Sequence, residues 1–182
     1  VEIYMISGHV FIATSLDGFI ARLDGNIDWL LKCDHSHEDH GYAEFIADKD
    51  CIVMGRGSYE KALTFEKWPY DRPVLVLSKK LAGTPVPKEL EGKLNFSSLT
   101  PTDTMKALAS KEIRRVYVDG GQIVQSFLRD GLVKDMVITT VPVLIGAGRP
   151  LFGALTSDIH LALVSNRSFP SGLVQTTYRV LR

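Results

Sequence analysis

The chain lacks most of the features that would assign it to a class at once. It has only two cysteines in 182 residues, Cys33 and Cys51, and no C-x-x-C pair, so neither a disulfide framework nor a thiolate zinc site is indicated. That usage fits a reducing, cytoplasmic compartment. No apolar run approaches the ~20 residues of a membrane-spanning helix, and no secretory leader stands out. Met5 reads as a native start, which gives residues 1–4 little weight. Charge of one sign is also missing: 21 Lys and Arg face 21 Asp and Glu, without the basic excess of a general nucleic-acid binder. There is no G-x-G-x-x-G after the first strand and no G-x-x-x-x-G-K-[ST], which removes a standard Rossmann domain and a P-loop ATPase. Repeats and low-complexity tracts are absent too.

What is present suits one α/β domain. The hydrophobic fraction is 45% and the charged fraction 23%, ordinary for a globular protein long enough to bury its own core. Residues 9–14 read as a strand, residues 16–18 as a turn, and Phe19, Ile20 and Ala21 as a return to extended chain. Asp24-Gly25-Asn26 is a second turn. Residues 39–48 carry Tyr42, Phe45 and Ile46 at helical spacing. The unbroken apolar run at residues 51–54 suits a strand covered on both faces. Strands at 73–77, 94–96 and 115–118 alternate with helices at 58–63, 102–110 and 122–129. Thr102 is a candidate cap and Gly131 a candidate stop. This alternation predicts a mostly parallel sheet flanked by helices. A strand at 134–141, then 161–169 and 173–181 around Pro170-Ser171-Gly172, predicts an antiparallel C-terminal hairpin. The sheet is therefore expected to be mixed, with open edges through which two copies could pair as a homodimer.

Two glycine turns carry the candidate chemistry. In Met54-Gly55-Arg56-Gly57-Ser58-Tyr59, glycine lets a phosphate approach the backbone, Arg56 offers a fork of donors, and Ser58 is a cap or a hydroxyl donor. In Val118-Asp119-Gly120-Gly121-Gln122, paired glycines follow a buried strand. Each turn alone reads equally as a plain turn or as close helix–sheet packing. Both fall at carboxyl ends of strands, where ligands of open α/β sheets bind. Ser78-Lys79-Lys80 ends a strand at the same rim and, with Arg56, suits an extra phosphate; its bland reading is a solvated lysine pair. The run Asp34-His35-Ser36-His37-Glu38-Asp39-His40 matches no standard zinc spacing and reads as a polar loop entering a helix, so no metal is expected. Asp17 is a candidate catalytic acid, with a structural role in its Leu-Asp-Gly turn as the alternative. Cys51 reads as core packing, and Phe11, Phe19, Tyr42 and Phe45 as core from which one or two rings could stack on a flat substrate.

Five words in order resemble the dihydrofolate reductase-like superfamily, above all the reductase domain of bacterial riboflavin biosynthesis and its stand-alone relatives: residues 15–21 (SLDGFIA), 54–60 (MGRGSYE), 76–79 (VLSK), 118–121 (VDGG) and 141–152 (VPVLIGAGRPLF). The resemblance implies NADPH lying across the strand ends and reduction of a small heterocyclic substrate, a pterin or a pyrimidine-like ring. It places Ala13, Ile20 and Ala21 beside the nicotinamide, and Gly55, Arg56 and Ser58 at the phosphates. Leu77, Ser78 and Lys79 fall at the adenosine end, with Gly120, Gly121, Gln122 and Ile123 around the diphosphate. Ile145 and Gly146 approach from the late loop. By position Asp39 matches the substrate-binding carboxylate, and Trp29 resembles the tryptophan of the active-site loop. No H-x-E with P-C-x-x-C is present, so the zinc deaminase often fused to such reductases is missing from this sequence. A nucleotide-binding module of the same fold without catalysis is the alternative.

Overall fold

A computed structural model describes residues 6–33 and 36–181. The strands are β1 (Ser7–Ser15), β2 (Phe19–Ala21), β3 (Cys51–Gly55), β4 (Val74–Leu77), β5 (Leu94–Ser97), β6 (Arg115–Asp119), β7 (Val133–Val141), β8 (Arg149–Pro150), β9 (Leu161–Ser168) and β10 (Val174–Val180). The helices are α1 (Asp28–Leu31), α2 (Tyr42–Ala47), α3 (Arg56–Ala62), α4 (Pro101–Ala109) and α5 (Gly121–Arg129). Among the described residues the main sheet runs β5-β4-β3-β6-β1-β7-β10-β9. Its first six strands are parallel, and β10 and β9 are antiparallel. β2 and β8 form a separate two-stranded ribbon. The mixed sheet with its C-terminal hairpin is the one expected. No helix among the described residues is long and apolar enough to cross a membrane.

Alternation along the central strands builds a core on each face. Cys51 and Val53 of β3 and Val116 and Val118 of β6 face the layer holding Val124 and Phe127 of α5. Ile52, Met54 and Tyr117 face the opposite layer, with Tyr59 of α3 and Phe45 and Ile46 of α2. Strands covered on both sides must be apolar throughout, which is why 51–54 reads as an unbroken hydrophobic run. Cys51 is 5% exposed, and burial pushes its thiol up to about 12, so it packs as a small hydrophobe.

Two local expectations are corrected. Thr100, not Thr102, caps α4, accepting from the Asp103 amide at 3.2 Å. Pro101 follows at the first helical position, where a missing N–H costs nothing. Helix α2 starts at Tyr42 rather than at residue 39, because Gly41 sits at φ 80° and cannot continue a right-handed helix backwards. Trp29 is 5% exposed and packs with Val141, Phe169 and Leu173 in a core cluster of its own, with its indole N–H buried and without a hydrogen-bond partner among the described residues. Asp34 and His35 of the polar run lie outside the described residues, as do residues 1–5.

Candidate active site

The two glycine turns meet. β3 and β6 are parallel neighbours with Met54 opposite Asp119, so both chains leave the sheet side by side on one rim. Gly120 has φ 93°, and a Cβ there would lie 2.8 Å from Ser58 Oγ and 3.7 Å from the Gly55 amide. A Cβ on Gly55 would come within 3.0 Å of Ile123 Cγ1. Both turns thus need glycine for mutual approach, and Gly55, Ser58, Gly120 and Ile123 form one cluster. β4 is next along the rim with Leu77 opposite Gly55, which brings Ser78 and Lys79 to the same edge. Ser78 Oγ accepts from the Leu81 amide at 3.2 Å and shapes that turn. Lys79 and Lys80 are exposed, and no carboxylate pairs with either among the described residues. Arg56 is half exposed and reaches Glu60 at 3.4 Å.

Several other sequence candidates have protein partners. A Cβ on Gly121 would meet the Pro150 carbonyl at 2.6 Å and Ile20 Cδ1 at 3.1 Å, so this buried glycine admits β8 at its Cα. Ile20 braces the start of α5, while Ala21 is buried and pairs with Arg149. Ala13 is half-buried on β1 and Gln122 is exposed in the first turn of α5. The amides of Ile145 and Gly146 donate to the Asp17 carboxylate at 3.1 and 2.8 Å. Ser15 Oγ donates to it at 2.6 Å. Led by the Ser15 bond, these donors hold Asp17 below the usual carboxylate range. A carboxylate so supplied is a poor proton donor, and Asp17 instead ties the turn after β1 to the loop after β7. Asp39 is exposed and takes the Gly41 amide at 2.8 Å, an Asx turn leading into α2. Glu38 accepts from the Ser171 amide and hydroxyl at 2.8 and 2.7 Å, which gives that part of the polar run a structural use.

The residue that sequence reasoning missed is Asp119. On β6 the side chains alternate, so Asp119 shares the face of Tyr117. The Gly120 amide and the Ser58 and Tyr117 hydroxyls are the donors that face it. Those bonds favour the charged form, but burial outweighs them and raises the carboxyl to about 6. Burial, followed by the Asp119 charge, also pushes the Tyr42 and Tyr117 phenols up. The same face presents an aromatic group on which a flat ring could lie. Phe11 lies 5.0 Å from Phe45 and 5.6 Å from Tyr42, Phe45 lies 5.2 Å from Tyr117, and the Tyr117 hydroxyl donates to the Phe11 carbonyl at 3.0 Å. The sequence held one signal for Asp119: in Val116-Tyr117-Val118-Asp119 the acid falls on the polar-tipped side of the alternation.

The family description "RibD C-terminal domain" matches residues 8–175. The chain is 32% identical to YwjB of Bacillus subtilis (strain 168) over 164 residues, covering 88% of this chain and 90% of that protein. It superposes on a putative riboflavin biosynthesis protein from Shewanella sp. PV-4 with a TM-score of 0.90 and 38% identity, covering 97% of this chain and 100% of that one. The fold also matches dihydrofolate reductase from Enterococcus faecalis complexed with NADP(H), with a TM-score of 0.66 and 13% identity over 97% of each chain. With the parallel sheet, the touching rim turns and these matches together, the chain belongs to the RibD C-terminal domain family and has the dihydrofolate reductase-like fold.

Proposed function

We propose that the protein is an NADPH-dependent reductase of a pterin- or pyrimidine-like heterocycle. One observation carries this reading: a half-buried carboxyl, Asp119, which desolvation pushes up to about 6, stands where two close-packed glycine turns meet, beside an aromatic face. The residues present fit a dinucleotide. Gly55, Ser58 and Gly120 offer backbone and a hydroxyl at the centre of the rim, and Arg56, Ser78 and Lys79 lie towards β4, where a 2′-phosphate would find cations. When bound, the nicotinamide supplies a hydride. Asp119 holds the matching proton and orients a ring N–H or carbonyl, Ser58 and the Gly120 amide steady its carboxylate after the proton leaves, and the Phe11, Tyr42, Phe45 and Tyr117 rings exclude water.

The test is titration of NADPH and NADH into the purified protein, followed by fluorescence, with pterins and ribosylaminopyrimidines then offered as hydride acceptors. NADPH binding tighter than NADH, lost selectively in Arg56→Ala, is the expected result. No binding of either dinucleotide removes the proposal.

A further inference from the structure

The ribbon of β2 and β8 carries a cation that no part of this reading has used. Pairing of Ala21 with Arg149 swings the Arg149 guanidinium over the rim. A Cβ on Gly57 would lie 3.1 Å from its Nη1, and a Cβ on Gly25 would lie 3.4 Å from Cζ and both terminal nitrogens. The group thus lies between the turn before α1 and the first turn of α3, in tight approach at Gly57 and in ordinary contact at Gly25, whose φ of 88° itself favours glycine. Its Nε donates to the Leu23 carbonyl at 3.2 Å, which fixes the plane of the fork. Among the described residues no carboxylate lies within ion-pair distance of Arg149. The fork borders a 390 Å³ cleft that also reaches Asn26, Lys61 and Thr64. Two acids share that cleft, and both are engaged: Asp24 accepts from the Asn26 amide at 2.9 Å, and Glu60 faces Arg56.

We propose that Arg149 binds the diphosphate of the dinucleotide at the first turn of α3. This rests on the cofactor reading and deepens it. Two terminal N–H₂ groups in one plane match two phosphate oxygens, which a lysine at the same place would not. Position selects the diphosphate over the 2′-phosphate. The guanidinium lies against Gly57, next in the chain to Ser58, which approaches Gly120, whereas Ser78 and Lys79 stand at the β4 side. The diphosphate is common to NADPH and NADH; the 2′-phosphate is not.

The experiment compares dissociation constants of NADPH and NADH for the wild type, Arg149→Ala, Arg149→Lys and Arg56→Ala, with melting curves for each. Arg149→Ala is expected to weaken both dinucleotides by the same factor, about tenfold or more, and Arg149→Lys to recover part of it. Arg56→Ala weakens NADPH alone. If Arg149→Ala melts early, Arg149→Gln, which keeps the length without the charge, carries the same comparison. Affinities unchanged in the folded Arg149 variants, or a loss confined to NADPH, overturn the proposal and leave the cofactor reading standing. A wild type that binds neither dinucleotide overturns both.

Discussion

Two carboxylates stand at opposite ends of the same parallel sheet and are treated in opposite ways. At the amino ends, Asp135 of β7 accepts from His9 Nδ1 at 2.8 Å, and His9 Nε2, left as an acceptor, takes the Ser7 hydroxyl at 2.9 Å. His9 is fully buried, yet both its nitrogens are satisfied. The trio has the connectivity of a hydrolytic relay, but the Ser7 and Gly8 amides are spent on the Arg114 and Leu132 carbonyls and do not face an oxyanion. At the carboxyl ends, Asp119 is surrounded by phenols and weak donors, and among the described residues no cation forms an ion pair with it. One network is closed and holds strands together. The other is left short of compensation, and such sites are where functional carboxyls are found.

Substituting each acid should separate the two roles. Asp119→Asn keeps the shape and removes the proton; turnover is expected to fall by about 10²–10³-fold, while the exposed Asp39→Asn control stays within about twofold of the wild type. In the wild type, turnover falls as pH rises past about 6, where Asp119 loses its proton; the variant lacks that limb. Stability moves in the same sense. The folded carboxyl titrates above its unfolded value, so the folded state binds more protons between about pH 4 and 6, and stability drops as pH rises through that window. The drop is at most about 3 kcal/mol. Urea melts across that range should show the slope in the wild type and a flatter profile in Asp119→Asn.

At the other end the expected effects are reversed. Asp135→Ala strands the buried His9 N–H, at a cost of about 1–3 kcal/mol. NADPH affinity and turnover of the folded fraction are expected to stay as they were. An Asp135→Ala protein with normal stability would mean that the amino-end network contributes nothing, and the contrast between the two ends would disappear.

The reach of sequence reading divides along the same line. The parallel order was legible because an apolar run ending in glycine repeats at residues 51–55 and 115–120, and runs buried on both faces leave few other architectures. The meeting of the two turns followed from their common place at strand ends. Asp119 was not legible as an acid, since before two glycines it reads as a turn residue. Its character comes from Ser58, Tyr42 and Tyr117, supplied by three elements and brought together only by folding. Arg149 was hidden for a similar reason: pairing of β8 with the three-residue β2 has no signature in the chain. The bond of the Ile145 and Gly146 amides to Asp17 was not legible either, because nothing local shows where those amides are used.

Asp17 provides the finest distinction, because it is a third carboxylate, close to the active rim and yet fully supplied with donors. Its bonds to Ser15, Ile145 and Gly146 hold the turn after β1 against the loop that leads into β8 and Arg149. Asp17→Asn retains one acceptor oxygen of two and loses the charge, so the loop that positions Arg149 should loosen, with NADPH affinity weakened about three- to tenfold and little change in the chemical step. Because the folded carboxyl titrates below its unfolded value, its contribution is present at neutral pH and is lost only as pH falls below the ordinary carboxylate range. Dinucleotide affinity measured from pH 5 to 8 should therefore report Asp119 and not Asp17. A wild-type change across that range that disappears in Asp17→Asn, and persists in Asp119→Asn, would reverse the roles assigned to them.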